Sequence, residues 1–266
     1  MKKRIIHYQD ELNDDFAKTK IEAKNLPNNF KHVKTNPFYK VGAFIVYYII
    51  AIPVAWISMK ITYLTKIKNK KVVKKVKETG YFIYGNHTGS ISDAFQPNIL
   101  RLFKRNYVVV GPETLSINGI KNLVTMLGAI PLGETFEEKI GFLNGVKTRI
   151  KQKASVTIYP EQHIWPFYTK IRPFNADSFR FPVSLDVPAF ALTTTYHKRK
   201  GLFALSKRPK IITYVDGPFY PDKNLKPQEA RQKIRDEVYE AMVKRASQVP
   251  QYEYVEYIKT ESKTDN

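Results

Sequence analysis

The chain contains no cysteine. That alone excludes disulfides, thiolate nucleophiles and zinc–cysteine centres, and it permits a reducing compartment. Acidic residues are few: 24 Asp and Glu stand against 44 Lys and Arg, a formal net charge of +20 over 266 residues. So basic a surface favours a polyanion, whether nucleic acid, anionic lipid or a phosphate-bearing substrate, and charge does not choose among them. There is no G-x-S-x-G, no P-loop, no G-x-G-x-x-G and no H-E-x-x-H. Serine-hydrolase, nucleotide-binding and zinc-peptidase readings lose their main support. No tight His/Asp/Glu spacing suggests a metal site, and there is no internal repeat.

Charge is also missing locally. Val41–Met59 holds no charged residue, and Lys40 and Lys60 bracket it. A helix of that length spans roughly 28 Å, about the thickness of a bilayer core. Pro53 should kink it, and Tyr47, Tyr48 and Trp56 are residues of membrane interfaces. A spanning helix, a re-entrant or surface-lying helix and a buried core helix all fit. The apolar run begins too deep for a signal peptide, and no small-residue cleavage site succeeds it. Beyond it Lys66–Lys77 carries seven lysines among Ile and Val. A polybasic segment there is drawn to anionic headgroups at about 1 kcal/mol per residue. If the helix spans, this lysine excess also puts the chain beyond residue 60 on the cytoplasmic face of the cell membrane. Nucleic acid is not expected, because no aromatic stacking positions lie within the run.

The predicted organisation is a polar, amphipathic or loosely ordered arm over 1–36, a membrane-associated helical segment over 37–64, an α/β domain over 65–259 and a disordered tail over 260–266. In the α/β part, short β-branched or aromatic runs predict strands at Tyr81–Gly85, Tyr107–Gly111, Ser155–Tyr159, Val187–Thr195 and Lys210–Val215. Helical patterns fall at Phe95–Lys104, Ile117–Leu127, Phe136–Lys153 and Pro227–Gln248. Thr135 with Glu138 makes a capping box. Strands alternating with helices predict a mostly parallel central sheet flanked by helices. The long aromatic and basic loop Gln162–Pro182 is a candidate functional segment.

The central stretch is Tyr81–Ala94, YFIYGNHTGSISDA. A strand delivers His87 into a polar turn, and Asp93 stands a few residues on, at a helix start. The carboxylate can hold one ring nitrogen and leave the other to take a proton. The same residues also fit a hydrogen-bonded turn histidine with an N-cap aspartate. Three further blocks come later in the chain, in order: Gly128–Gly133 (GAIPLG), Tyr159–Gln162 (YPEQ) and Val187–Phe190 (VPAF).

With these four blocks in this order, the chain resembles the glycerolipid acyltransferase family, the 1-acylglycerol-3-phosphate acyltransferase-like enzymes. The resemblance covers roughly Lys60–Val215 and the apolar segment ahead of it, which is similar to the family's membrane-docking helices. It departs in three places. Five residues rather than four separate His87 from Asp93, an insertion to be absorbed at Gly89. Gln162 replaces the glycine after the glutamate. The second block has no arginine.

The resemblance implies an O-acyltransferase of phospholipid biosynthesis. It would move a fatty acyl group from acyl-CoA or acyl carrier protein to a lysophospholipid hydroxyl, 1-acylglycerol-3-phosphate first, without a further cofactor or metal. His87 would be the base and Asp93 its orienting partner. Asn86, Glu161, Lys170 and Arg172 would bind substrate. Backbone N–H groups at the start of the next helix could meet the oxyanion. Trp165, Phe167 and Tyr168 suit either an acyl groove or packing beneath the loop. The competing class is a non-catalytic basic protein that binds anionic membrane or nucleic acid.

Overall fold

The computed structural model describes residues 4–17, 26, 30–89, 91–116, 119 and 121–260. Nine strands are found among them: β1 (Arg4–Tyr8), β2 (Lys66–Lys68), β3 (Tyr81–Gly85), β4 (Asn106–Val110), β5 (Ala129–Pro131), β6 (Ser155–Ile158), β7 (Ala189–His197), β8 (Lys210–Phe219) and β9 (Val255–Lys259). The longer helices are α1 (Pro37–Thr62), α2 (Ser92–Leu100), α3 (Lys121–Met126), α4 (Phe136–Lys151), α5 (Arg180–Leu185) and α6 (Pro227–Gln248).

Seven strands make one sheet in the order β2-β8-β7-β3-β6-β4-β5. Every pairing is parallel except β7 with β8, a hairpin. β3, at the centre, is buried along its whole length, as a strand covered on both faces must be. On one face Phe82, Tyr84, Val156 and Ala191 meet Phe142 and Val146 of α4 and Ile234, Val238 and Met242 of α6. The other face packs Tyr81, Ile83 and Phe190 on Val73 and Val76. The α/β expectation therefore holds, with an apolar helix ahead of the sheet.

Helix α1 is continuous. Pro53 has no N–H to return to the chain, and the disturbance takes the form of a wider π segment at Ile45–Ala51 rather than a break. Asn36 caps its start, accepting from the N–H groups of Phe38 and Tyr39. One face is docked: Ala43, Tyr47, Ala55 and Met59 are buried, and Ala55 and Met59 pack with Ile99 of α2 and Tyr196 of β7. The opposite face leaves Val41, Ile45, Ile49, Trp56 and Ile61 exposed. The capping box at α4 is present, with Thr135 and Glu138 each bonding the other's backbone.

Three segments take a defined place in the fold. The lysine run forms β2 and a 3-10 turn at Lys70–Lys75 that buries Val73. The described part of the N-terminal arm is not loose. Strand β1 pairs in parallel with β9 near the other end of the chain, and Thr260 donates to the Tyr8 carbonyl at 2.8 Å. The predicted tail lies, from residue 261 on, outside the described residues. In the loop Gln162–Pro182, Trp165 and Tyr168 take the packed alternative. Trp165 is fully buried among Tyr8, Phe16, Tyr168 and Tyr257, and its Nε1–H donates to the Asp14 carbonyl.

Candidate active site

Strands β3 and β6 run parallel, and both end on the same side of the sheet. The carboxyl ends of parallel strands are where open α/β sheets gather their functional groups. There β3 hands over to His87 and β6 to Tyr159 and Glu161.

His87 Nδ1 lies 2.9 Å from Asp93 Oδ2. That oxygen also accepts the backbone N–H groups of Thr88 at 3.0 Å and Gly89 at 2.9 Å. Asp93 is therefore held by its own turn as well as by the imidazole. Its side chain is 3% exposed, while that of His87 is 19% exposed. No hydrogen bond to Nε2 is formed among the described residues, so the second ring nitrogen has no fixed partner. Gly89 stands in the turn between the two residues. Its carbonyl accepts the Asp93 N–H at 3.0 Å, and a Cβ there would meet Ser92 Oγ at 1.9 Å. The N–H groups of Thr88, Gly89 and Asp93 are thus already engaged within the turn.

The ring of Tyr159 stacks on the His87 ring, centroids 4.6 Å apart and planes at 19°. Its hydroxyl donates to the Asp93 backbone carbonyl at 2.5 Å. Gly85 leaves room for it, since a Cβ there would stand 2.6 Å from the Tyr159 ring. Burial, with Asp93 nearby, pushes the Tyr159 phenol well above its ordinary range, so it stays neutral. The sequence marks Tyr159 only as the first residue of its block, with no role of its own; nothing local shows a ring crossing to a neighbouring strand. Sequence reasoning misses Tyr196 as well, whose hydroxyl bonds both Thr88 Oγ1 and the Thr88 carbonyl.

The predicted substrate-binding residues are placed differently from one another. Glu161 accepts the His87 backbone N–H at 2.9 Å and the Arg172 N–H at 3.0 Å. Burial pushes its carboxyl above the usual range, while the Arg172 charge and the two N–H groups pull the other way. Arg172 is 1% exposed, pairs with Glu161 at 3.4 Å, lies over Trp165 and donates to the Glu11 and His163 carbonyls. Its guanidinium is enclosed by these protein groups. Asn86 is also enclosed: its Oδ1 accepts the Thr194 N–H at 2.8 Å and its Nδ2 donates to the Thr194 carbonyl at 3.1 Å. These three residues build the site rather than line its mouth, because each polar group must find a partner once buried. Lys170 alone of the four is exposed, beside a shallow depression with Tyr252 and Glu253.

The second and fourth blocks do not join this cluster. Ala129–Pro131 is the edge strand β5, and the Pro188 carbonyl accepts the Phe82 N–H at the opposite end of β3. Among the described residues no group of three or more His, Asp or Glu could hold a metal ion.

The fold resembles that of a solved acyltransferase. It is similar to the crystal structure of the 1-acyl-sn-glycerophosphate (LPA) acyltransferase PlsC from Thermotoga maritima, with a TM-score of 0.53 and 14% identity, over 81% of this chain and 95% of that one. At that identity the likeness is one of fold. No protein-family model matches the sequence, and no curated protein matches it.

Proposed function

We propose that this chain is a membrane-associated O-acyltransferase. It moves a fatty acyl group from an acyl thioester, acyl-CoA or acyl carrier protein, to the hydroxyl of a lysophospholipid. 1-Acylglycerol-3-phosphate is the first candidate acceptor and phosphatidic acid its product. The observation that carries this reading is the His87–Asp93 pair at the carboxyl end of the central strand, its second ring nitrogen without a hydrogen-bond partner among the described residues, in a fold similar to that of a solved acyltransferase.

His87 takes the acceptor proton at Nε2 as the hydroxyl oxygen attacks the thioester carbonyl. The C–O bond forms, the C–S bond breaks, and the imidazolium returns the proton to the leaving thiolate. Asp93 fixes the tautomer with hydrogen on Nδ1 and stabilises the charge that develops. Tyr159 and the Glu161–Arg172 pair position the imidazole. Lys170 is the exposed cation assigned to the acceptor phosphate.

Membrane association is supported by two apolar surfaces near each other. One is the free face of α1. The other is the β7–β8 hairpin tip, where Leu202 and Leu205 are almost wholly exposed between Lys198, Lys200, Lys207 and Arg208. Arg199 ties the hairpin base to the Thr62 carbonyl at the end of α1. Apolar side chains rimmed by lysine and arginine suit an anionic bilayer surface, here assigned to the cytoplasmic face. An acyl-transfer assay against lysolipid acceptors with and without a phosphate tests the reading; product with none of them would end it.

A further inference from the structure

A cavity lies away from His87, towards the β4–β5 edge of the sheet. Its volume is about 250 Å³. It is framed by segment 30–35, the first turns of α1, the start of β4 and the last turn of α4. Five of its lining residues are cationic, Lys31, Lys34, Lys40, Arg105 and Arg149, and no Asp or Glu lines it among the described residues.

The two guanidiniums flank one ring. Arg149 lies 4.5 Å and Arg105 5.2 Å from the Tyr107 centroid, and Arg105 also stacks on Tyr47 at 4.8 Å. Their protein acceptors are neutral: Arg105 donates to the Met126 carbonyl at 2.6 Å, and Arg149 to Gln152 Oε1 at 3.0 Å and the His32 carbonyl at 3.3 Å. Neither forms an ion pair among the described residues. The Nε of each, and His32 Nδ1, are buried without a partner. Lys34 Nζ is held over the cavity by Asn122 Oδ1 at 2.8 Å. Burial pushes the Lys34 ammonium and the Arg149 guanidinium below their ordinary values, and Lys121 and Arg105 respectively add repulsion. The Arg172 guanidinium, by contrast, has the Glu161 carboxylate beside it. Here like charges are gathered in a recess whose described lining residues include no carboxylate, an arrangement an anion would relieve.

We propose that this cavity binds a phosphate group, with Arg105 and Arg149 as its ligands and Lys34 closing over it. The site is separate from the acyl-transfer centre and does not rest on that reading. Two sources supply the chemistry: free phosphate, or the headgroup of an anionic phospholipid entering beside α1, where Phe38 and Val41 are exposed.

The full chain is titrated with inorganic phosphate at constant ionic strength, with isothermal calorimetry and melting temperature as readouts. In a parallel arm, vesicles of phosphatidylglycerol are compared with vesicles of phosphatidylcholine. Saturable binding that stabilises the protein is expected. Arg149→Gln and Arg105→Gln should each weaken it about tenfold, the loss of one charge-assisted hydrogen bond. Lys34→Gln, a rim change that leaves the Tyr107 stack intact, should weaken it several-fold. It decides the matter if either arginine variant fails to fold. Saturation by inorganic phosphate assigns the site to the free anion, and saturation only by phosphatidylglycerol vesicles assigns it to a headgroup. Non-saturating, salt-like response in both arms, or binding unchanged in Lys34→Gln and in the folded arginine variants, would overturn the proposal.

Discussion

The Tyr159 ring lies flat on the His87 imidazole and anchors its own hydroxyl on the backbone of Asp93. One aromatic side chain thus touches both His87 and Asp93. Tyr159→Phe keeps the stack and loses the anchor; Tyr159→Ala loses both. The expected order of kcat is wild type, then Phe, then Ala, with the alanine variant down roughly a hundredfold, as for a misplaced catalytic group. KM for the acceptor should change little. Equal activity in all three would leave Tyr159 with no positioning role.

Asn86 and Arg172 are expected to act on stability before substrate affinity. Asn86→Ala leaves the Thr194 N–H and carbonyl unpaired inside the sheet, at a cost of roughly 2–4 kcal/mol. Arg172→Met leaves Glu161 buried without its counter-charge, at a cost of about 3–5 kcal/mol. Urea unfolding measures both. A normal unfolding midpoint with a raised acceptor KM would return these residues to substrate binding.

Much of the fold can be read from the sequence. Strand β3 falls where the apolar run predicts it, and α6 spans the predicted Pro227–Gln248. Both have long or strong local patterns. Strands β1, β2 and β9 are not legible, since each is short, charged and partly exposed, and exists through a partner far away in the chain. The same limit applies to the site. His87 and Asp93 sit on one turn, so their pairing shows in the spacing. Arg172 reads as a substrate-binding cation in the string KIRPF, and only the folded chain puts Trp165 beneath it and Glu161 beside it.

Lys104 gives a pH signature independent of the site. Its ammonium is largely buried, donating to the Thr79 carbonyl at 2.9 Å over the Tyr81 ring. Burial, with Arg101 and Lys153 adding repulsion, lowers its pKa to about 8. In the unfolded chain the same group titrates near ~10.4. Between those values the unfolded state binds more protons, so this group makes stability rise with pH there, and its penalty is fully present below about pH 8. Denaturant midpoints from pH 7 to 10 should climb more steeply for the wild type than for Lys104→Met. Parallel curves would contradict the burial of that charge.

At the membrane, Leu202→Gln with Leu205→Gln should lower partitioning to anionic vesicles at least several-fold and leave the folded stability unchanged, because both side chains stand in solvent. Sedimentation with phosphatidylglycerol vesicles reads this directly. Unchanged partitioning would confine membrane contact to α1.

The most direct measurement is acyl transfer from a radiolabelled acyl thioester to 1-acylglycerol-3-phosphate by the purified wild type, His87→Ala and Asp93→Asn. Circular dichroism of each protein checks the fold. The expected result is product with the wild type, none above background with His87→Ala, and a rate lower by at least a hundredfold with Asp93→Asn, all three folded. A folded His87→Ala protein that transfers the acyl group at the wild-type rate would contradict the assignment of His87 as the base.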